Sequence, residues 1–210
     1  MSTPIKVLVA DDHFVVREGL RGILQREPDL LMAGEAANGM EVVEAFDRLR
    51  PDVTIMDLRM PLRGGVEATR VIRLHHPGAR ILVLSNFEGD EDIHAALEAG
   101  AMGYLLKQSS GNQIVPAIRA LFQGHPWIPP EVAVHLAERK RGEILSARER
   151  EIIHLMAQGE ANKQIGDALG ITEQTVKSHV KNILGKLQVR DRTEAVTVAL
   201  RRGIVHLPEI

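Results

Sequence analysis

The chain has 210 residues, with 26 Lys and Arg against 28 Asp and Glu, no cysteine and six aromatic residues. At roughly 100–200 residues per domain this length allows one large domain or two small ones, and the lack of cysteine excludes a disulfide framework, thiolate zinc sites and a cysteine nucleophile. No stretch approaches the roughly 18 apolar residues of a membrane span, and the opening MSTPIKVLVADD turns acidic too soon for a signal peptide, so a cytoplasmic chain with no membrane partner is expected.

In the first half, short apolar runs alternate with helix-period stretches. Residues 5–10, 53–56, 81–84 and 104–106 are near-continuous apolar runs, with 30–33 a weaker fifth. Runs without polar alternation are expected of parallel strands buried on both faces. Between them, apolar stripes recur at helical spacing: Val15, Val16, Leu20, Ile23 and Leu24; Val42, Val43, Phe46 and Leu49; Val66, Val71 and Ile72; Ile93, Ala96 and Leu97; Ile114, Ala117, Ile118, Leu121 and Phe122. Five strand–helix units predict an α/β domain over 1–123, a five-stranded doubly wound parallel sheet in the flavodoxin-like order 2-1-3-4-5.

Residues 124–130, GHPWIPP, break the pattern, and 124–143 reads as a linker with a short helix near 131–141. From 144 to 210 no strand pattern remains. Ser146 with Glu149 forms a capping box for a helix closed by Gly159, and a second helix over 162–169 ends at Gly170. Thr172 caps a third helix reaching Leu187, and Asp191 with Glu194 forms a capping box for a fourth. An all-α four-helix domain is expected. Gly185, inside the third helix, costs roughly 1 kcal/mol against Ala and is expected to fray its end.

Ligands of open α/β sheets bind beyond the carboxyl ends of the strands. Here those ends carry Asp11, Asp12, Asp57, Ser85 and Lys107. Three carboxylates brought together repel one another, a divalent cation removes the conflict, and an all-oxygen acidic site suits Mg²⁺. An Asp oxygen in such a site is a nucleophile toward a phosphoryl group, with Lys107 supplying positive charge and Ser85 a hydroxyl donor. His13 reads as the residue that begins the first helix, since no second His has ligand spacing.

The stretches VLVADDH at 7–13, TIMDLRMP at 54–61, ILVLS at 81–85 and GYLLK at 103–107 resemble the receiver domain of two-component response regulators. The resemblance implies that Asp57 is the phosphoacceptor. It also implies that Asp12, Asp57 and the Arg59 carbonyl hold Mg²⁺, with Asp11 acting through water. Ser85 and Lys107 would contact the phosphoryl group, and Tyr104 takes the place of the switch aromatic. Asn86 departs from the family, standing where many receivers carry a small apolar residue. A phosphatase using the same kind of Asp nucleophile normally has a second Asp two residues on, where Arg59 stands, so an enzyme is not expected.

In the third helix of the second half, Val176, Val180, Ile183 and Leu187 share one face, and Gln174, Lys177, Ser178 and Lys181 share the other. A basic and amide-bearing face suits the major groove of duplex DNA, with the preceding helix crossing the backbone. Residues 128–210 hold no Phe, Tyr or Trp, which argues against base stacking. The strings LSARERE at 145–151, ANKQIGDALGITEQTVKSHVKNILGKL at 161–187 and VRDRTEA at 189–195 resemble the LuxR-type helix-turn-helix domain. That resemblance implies groove contacts from Lys177, Ser178 and Lys181 and backbone contacts from Asn162, Lys163 and Thr175.

Together the halves are similar to the NarL/FixJ class of response regulators. The likeness implies a transcription factor switched by a sensor histidine kinase, forming a homodimer on phosphorylation and binding double-stranded promoter DNA, with RNA polymerase a further candidate partner. The formal net charge of −2 then divides into −4 over 1–123 and +2 over 124–210, with six basic residues against three acidic ones in 161–192. The near-neutral total averages an acidic half and a basic patch.

Overall fold

The computed structural model describes residues 3–86, 89–108, 111–130, 132–133 and 144–206. The chain forms two compact units, the first over Met1–Phe87 and Ile93–Ala133, the second mainly over Val134–Ile210. The helix expected near 131–141 lies almost entirely outside the described residues.

In the first unit, β1 (Ile5–Ala10), β2 (Leu30–Ala36), β3 (Val53–Met56), β4 (Ile81–Ser85) and β5 (Gly103–Leu106) alternate with α1 (Phe14–Leu24), α2 (Gly39–Leu49), α3 (Gly65–His75), α4 (Asp90–Glu98) and α5 (Ile114–Phe122). All strand pairs are parallel and the order is β2-β1-β3-β4-β5, as the alternation predicts. Side chains alternate across the sheet. Val7, Val9, Ile55, Leu82, Leu84 and Leu105 meet α1 and α5 on one face, while Leu8, Ala10, Met56 and Ile81 meet α2 and α3 on the other. Each such buried Val, Leu or Ile contributes roughly 1.5–3 kcal/mol.

Two elements differ from the expectation. β2 runs three residues past the predicted 30–33, because an edge strand with one neighbour tolerates the exposed Glu35 that interrupts its apolar run. The break at 124–130 also does structural work. The Trp127 N–H donates to the Met102 carbonyl, and the Tyr104 N–H donates to the Trp127 carbonyl, both at 3.0 Å. A parallel bridge between Gly103 and Trp127 thus covers part of the open β5 edge, whose main-chain groups would otherwise lack partners.

The second unit contains α6 (Ala147–Ala157), α7 (Asn162–Leu169), α8 (Glu173–Leu187) and α9 (Arg192–Arg201) around a core that includes Ile152, Ile153, Ile165, Val176, Ile183 and Ala195. Ser146 and Glu149 form the expected capping box, and Gly170 closes α7 in the left-handed region at φ 65°. At α9 the Asp191 side chain accepts the Glu194 N–H, but the Glu194 carboxylate takes the N–H of Arg190, so only half of the predicted capping box forms. Helix α8 continues through Gly185 to Leu187 without the expected fraying, anchored on either side by buried Ile183 and Leu187.

Candidate functional site

The ends of β1, β3 and β5 bring three charged groups together. Asp11 and Asp57 are almost fully buried, and Lys107 Nζ lies 2.6 Å from Asp11 Oδ2 and 2.9 Å from Asp57 Oδ2. Burial pushes the Asp57 carboxyl above its ordinary range, and the Asp11 charge adds to this against the opposing pull of Lys107. Burial alone would lower the Lys107 ammonium, but its hydrogen bonds and attraction to Asp11 and Asp57 outweigh that and hold it above its usual value. The Arg59 N–H is one of the groups that hold the Asp57 carboxylate.

The other predicted residues fall around this centre. Ser85 and Tyr104 are fully buried, and the Lys107 N–H donates to the Ser85 carbonyl at 2.9 Å, tying the ends of β4 and β5. Asn86, just beyond, is exposed. Asp12 is exposed and turns toward His13, whose Nδ1 lies 2.8 Å from its Oδ1. His13 does begin α1, as its N-cap residue, yet its imidazole also belongs to the cluster: ligand atoms of Asp11, Asp12, His13 and Asp57 all lie within 4.8 Å of one another. This donor set, dominated by carboxylates at two buried strand ends, fits a hard divalent cation.

Two supporting residues escape sequence reasoning. Arg17, one turn into α1, reaches back to donate to the main-chain carbonyls of Asp11 at 2.8 Å and Asp12 at 3.3 Å. Its only signal is the tendency of long helical side chains to point toward the helix N-terminus. Gly65 opens α3 so close beneath Asp57 that a Cβ there would collide with the Asp57 main-chain carbonyl.

On the second unit, Gln174, Thr175, Lys177, Ser178, Lys181 and Asn182 are exposed along α8, while Val176, Ile183 and Leu187 are buried and Val180 is half-buried. Lys163 is exposed and Asn162 half-buried at the start of α7. Several of these groups already have partners. Lys177 Nζ lies 2.8 Å from Glu173 Oε1 and holds that carboxyl below its usual range. The Ser178 hydroxyl donates to the Gln174 carbonyl at 3.1 Å, and the Thr175 N–H donates to Thr172 Oγ1.

Two cations counted in the basic patch turn inward instead. Lys186 Nζ meets the buried Glu149 carboxylate at 2.6 Å. Arg192 donates to the carbonyls of Glu160 at 2.6 Å and Met156 at 3.3 Å, and to Asn162 Oδ1 at 3.4 Å. The outward-facing charge is therefore smaller than the sequence count suggests.

Comparison with known proteins finds a family for each half of the chain. The response regulator receiver domain family matches residues 7–119, and the luxR family of bacterial regulatory proteins matches residues 143–199. The transcriptional regulatory protein LiaR of Bacillus subtilis strain 168 is 43% identical over 210 residues, 96% of this chain and 100% of LiaR. The response regulator protein VraR of Staphylococcus aureus strain NCTC 8325 / PS 47 is 41% identical over 206 residues, 96% of this chain and 99% of VraR. RcsB from Salmonella enterica serovar Typhimurium, solved bound to promoter P1flhDC in the presence of the phosphomimetic BeF3-, is similar with a TM-score of 0.72 at 26% identity, over 93% of this chain and 98% of that one. With both domains matched in order and relatives aligned nearly end to end, the chain belongs to the two-component response regulators that join a receiver domain to a LuxR-family DNA-binding domain, a family of transcriptional regulators.

Proposed function

We propose that Asp57 accepts a phosphoryl group from a sensor histidine kinase and that this modification promotes dimerisation and binding to promoter DNA. The observation that carries the reading is the Lys107 ammonium held between two buried carboxylates, Asp11 and Asp57, at adjoining strand ends. In the transfer, an Asp57 carboxylate oxygen bonds to phosphorus as the bond from phosphorus to the kinase histidine nitrogen breaks, leaving an acyl phosphate on Asp57. Asp12, Asp57 and the Arg59 carbonyl would hold Mg²⁺, with Asp11 acting through water; when bound, the ion neutralises charge on the phosphoryl oxygens. Lys107 pairs with the new anion and Ser85 donates its hydroxyl to it. The phosphoryl group adds nearly two negative charges and three acceptor oxygens, and Tyr104, buried on β5, repositions with Ser85 to report its arrival.

Residues 1–123 act as the receiver, 124–143 as the linker and 144–210 as the DNA-binding domain. There α8 enters the major groove, with Lys177, Ser178 and Lys181 toward the bases and Asn162, Lys163 and Thr175 on the backbone. Lys177 exchanges its exposed partner Glu173 for DNA, at little cost because solvent-exposed ion pairs contribute little. Incubation with a small phosphodonor and Mg²⁺ tests the site: wild type becomes labelled and Asp57→Ala does not. Labelling that persists in Asp57→Ala would remove Asp57 from the reaction.

A further inference from the structure

We infer that Arg192 is a positioning residue for DNA binding: its guanidinium turns the Asn162 amide donor-end outward and fixes the start of α7 from α9. The inference rests on the proposed backbone contacts of Asn162 and Lys163 and names what sets their geometry. Arg192 is the first residue of α9. Its Nη2 donates to the carbonyls of Glu160 at 2.6 Å and Met156 at 3.3 Å, and its Nη1 donates to Asn162 Oδ1 at 3.4 Å. One side chain thereby joins the last turn of α6, the loop that follows and the first residue of α7. All three acceptors are neutral, so shape rather than charge pairing selects arginine here. A planar guanidinium offers five N–H donors in fixed directions, whereas a lysine presents three from a single nitrogen.

The two ends of α7 are held differently. At its C-terminal end Gly170 closes the helix in the left-handed region, and Arg148 donates to the Leu169 carbonyl at 2.7 Å. At its N-terminal end the N-cap is Ala161, whose methyl group has no oxygen to offer an N–H. The Gln164 side chain takes the Ala161 N–H at 2.7 Å, but that bond lies within α7 and its own cap and ties the helix to no other element. Arg192 supplies that tie. Its own backbone is fixed in turn, because the Asp191 side chain caps α9 and Ala195 and Ala199 are buried in the core.

The direction of the Asn162 amide has a chemical consequence. An ionised phosphate only accepts hydrogen bonds, so Asn162 serves the DNA backbone through Nδ2 and not through Oδ1. With Oδ1 taken by Arg192, Nδ2 is the end left for phosphate. Without that hold the amide presents its acceptor end as readily as its donor end.

Titration of the full chain with a random-sequence DNA duplex over a range of salt concentrations tests this, because backbone contacts act on any sequence. The chains compared are wild type, Arg192→Lys, Arg192→Met, Asn162→Ala, Lys163→Ala and the double variant Arg192→Lys with Asn162→Ala. Thermal midpoints report that each is folded, and Arg192→Lys, which keeps the charge and the stem, carries the comparison even where Arg192→Met unfolds. Arg192→Lys and Asn162→Ala are each expected to weaken binding roughly three- to tenfold, and the double variant to bind within about twofold of Arg192→Lys. Arg192→Met is expected to keep the wild-type salt slope, while Lys163→Ala lowers it by about one for each bound subunit. Penalties that multiply in the double variant overturn the inference, since Arg192 would then add stability without directing Asn162. Wild-type affinity in Arg192→Lys overturns it too, because a lysine keeps a phosphate contact but not the fork, and a lower slope in Arg192→Met has the same meaning. If Asn162→Ala and Lys163→Ala both bind as wild type, the proposed backbone contacts fall and the inference falls with them, whatever the Arg192 variants show.

Discussion

Lys107 occupies a position where its removal has two separable consequences. Its ammonium is the close cationic partner of both Asp11 and Asp57, so Lys107→Ala leaves two buried carboxylates facing each other without it. The proposed phosphoacceptor, Asp57, is itself untouched. Asp57 is therefore expected to remain labelled by a phosphodonor with Mg²⁺, while the labelled protein fails to dimerise. Light scattering of the labelled variant checks this, and a normal shift to dimer would remove Lys107 from the switch. The charged residues of this centre are legible in sequence because each ends an apolar run abruptly, and a parallel sheet gathers such ends at one edge. Arg17 and Gly65 are not legible in that way. An Arg one turn into a helix reads as solvated surface, and the need for glycine at 65 comes from the Asp57 carbonyl, eight residues away, which only the folded chain brings beneath it.

The helices of the second unit were marked by their caps, and the same local chemistry yields two stability predictions. Gly185 is exposed and a Cβ there meets nothing within 4 Å. Gly185→Ala is expected to stabilise the unit by about 0.5–1 kcal/mol, read as a raised thermal midpoint; a lowered midpoint would contradict the free space around it. Glu149 is buried between the Ser146 backbone and Lys186. Burial raises its carboxyl, but the Lys186 and Ser146 hydrogen bonds overcome this and hold it below the usual value. A depressed folded-state value means that this stabilisation is fully present above the unfolded pKa of about 4.3 and is lost as pH falls through the lower folded value. Glu149→Gln is expected to cost about 1–2 kcal/mol at pH 7. That gap should narrow below about pH 4. Denaturant unfolding at both pH values checks the sign, and a gap constant with pH would contradict it. Sequence periodicity placed α7 and α8 to the residue but shortened β2, because apolarity marks strands buried on both faces better than strands at an edge. It also counted Lys186 and Arg192 as surface charge, since burial of a cation against a carboxylate or a helix end depends on tertiary contacts that charge counting does not register.

For the molecule as a whole, an acidic first half is joined to a modestly basic second half. With Lys186 and Arg192 turned inward, each DNA-binding unit offers few cations to phosphate, and affinity that rests on few ion contacts gains most from pairing two subunits on one duplex. Under the proposed function, phosphorylation at Asp57 would act through the dimer, with a coupling of the usual 1–3 kcal/mol. The measurement that tests this most directly is a promoter-DNA titration of the full chain at fixed salt, with and without a small phosphodonor and Mg²⁺, on wild type and Asp57→Ala. The phosphodonor is expected to tighten binding by wild type about 5–150-fold and to leave Asp57→Ala unchanged. Equal affinity in wild type with and without the phosphodonor, or an equal gain in Asp57→Ala, would contradict it.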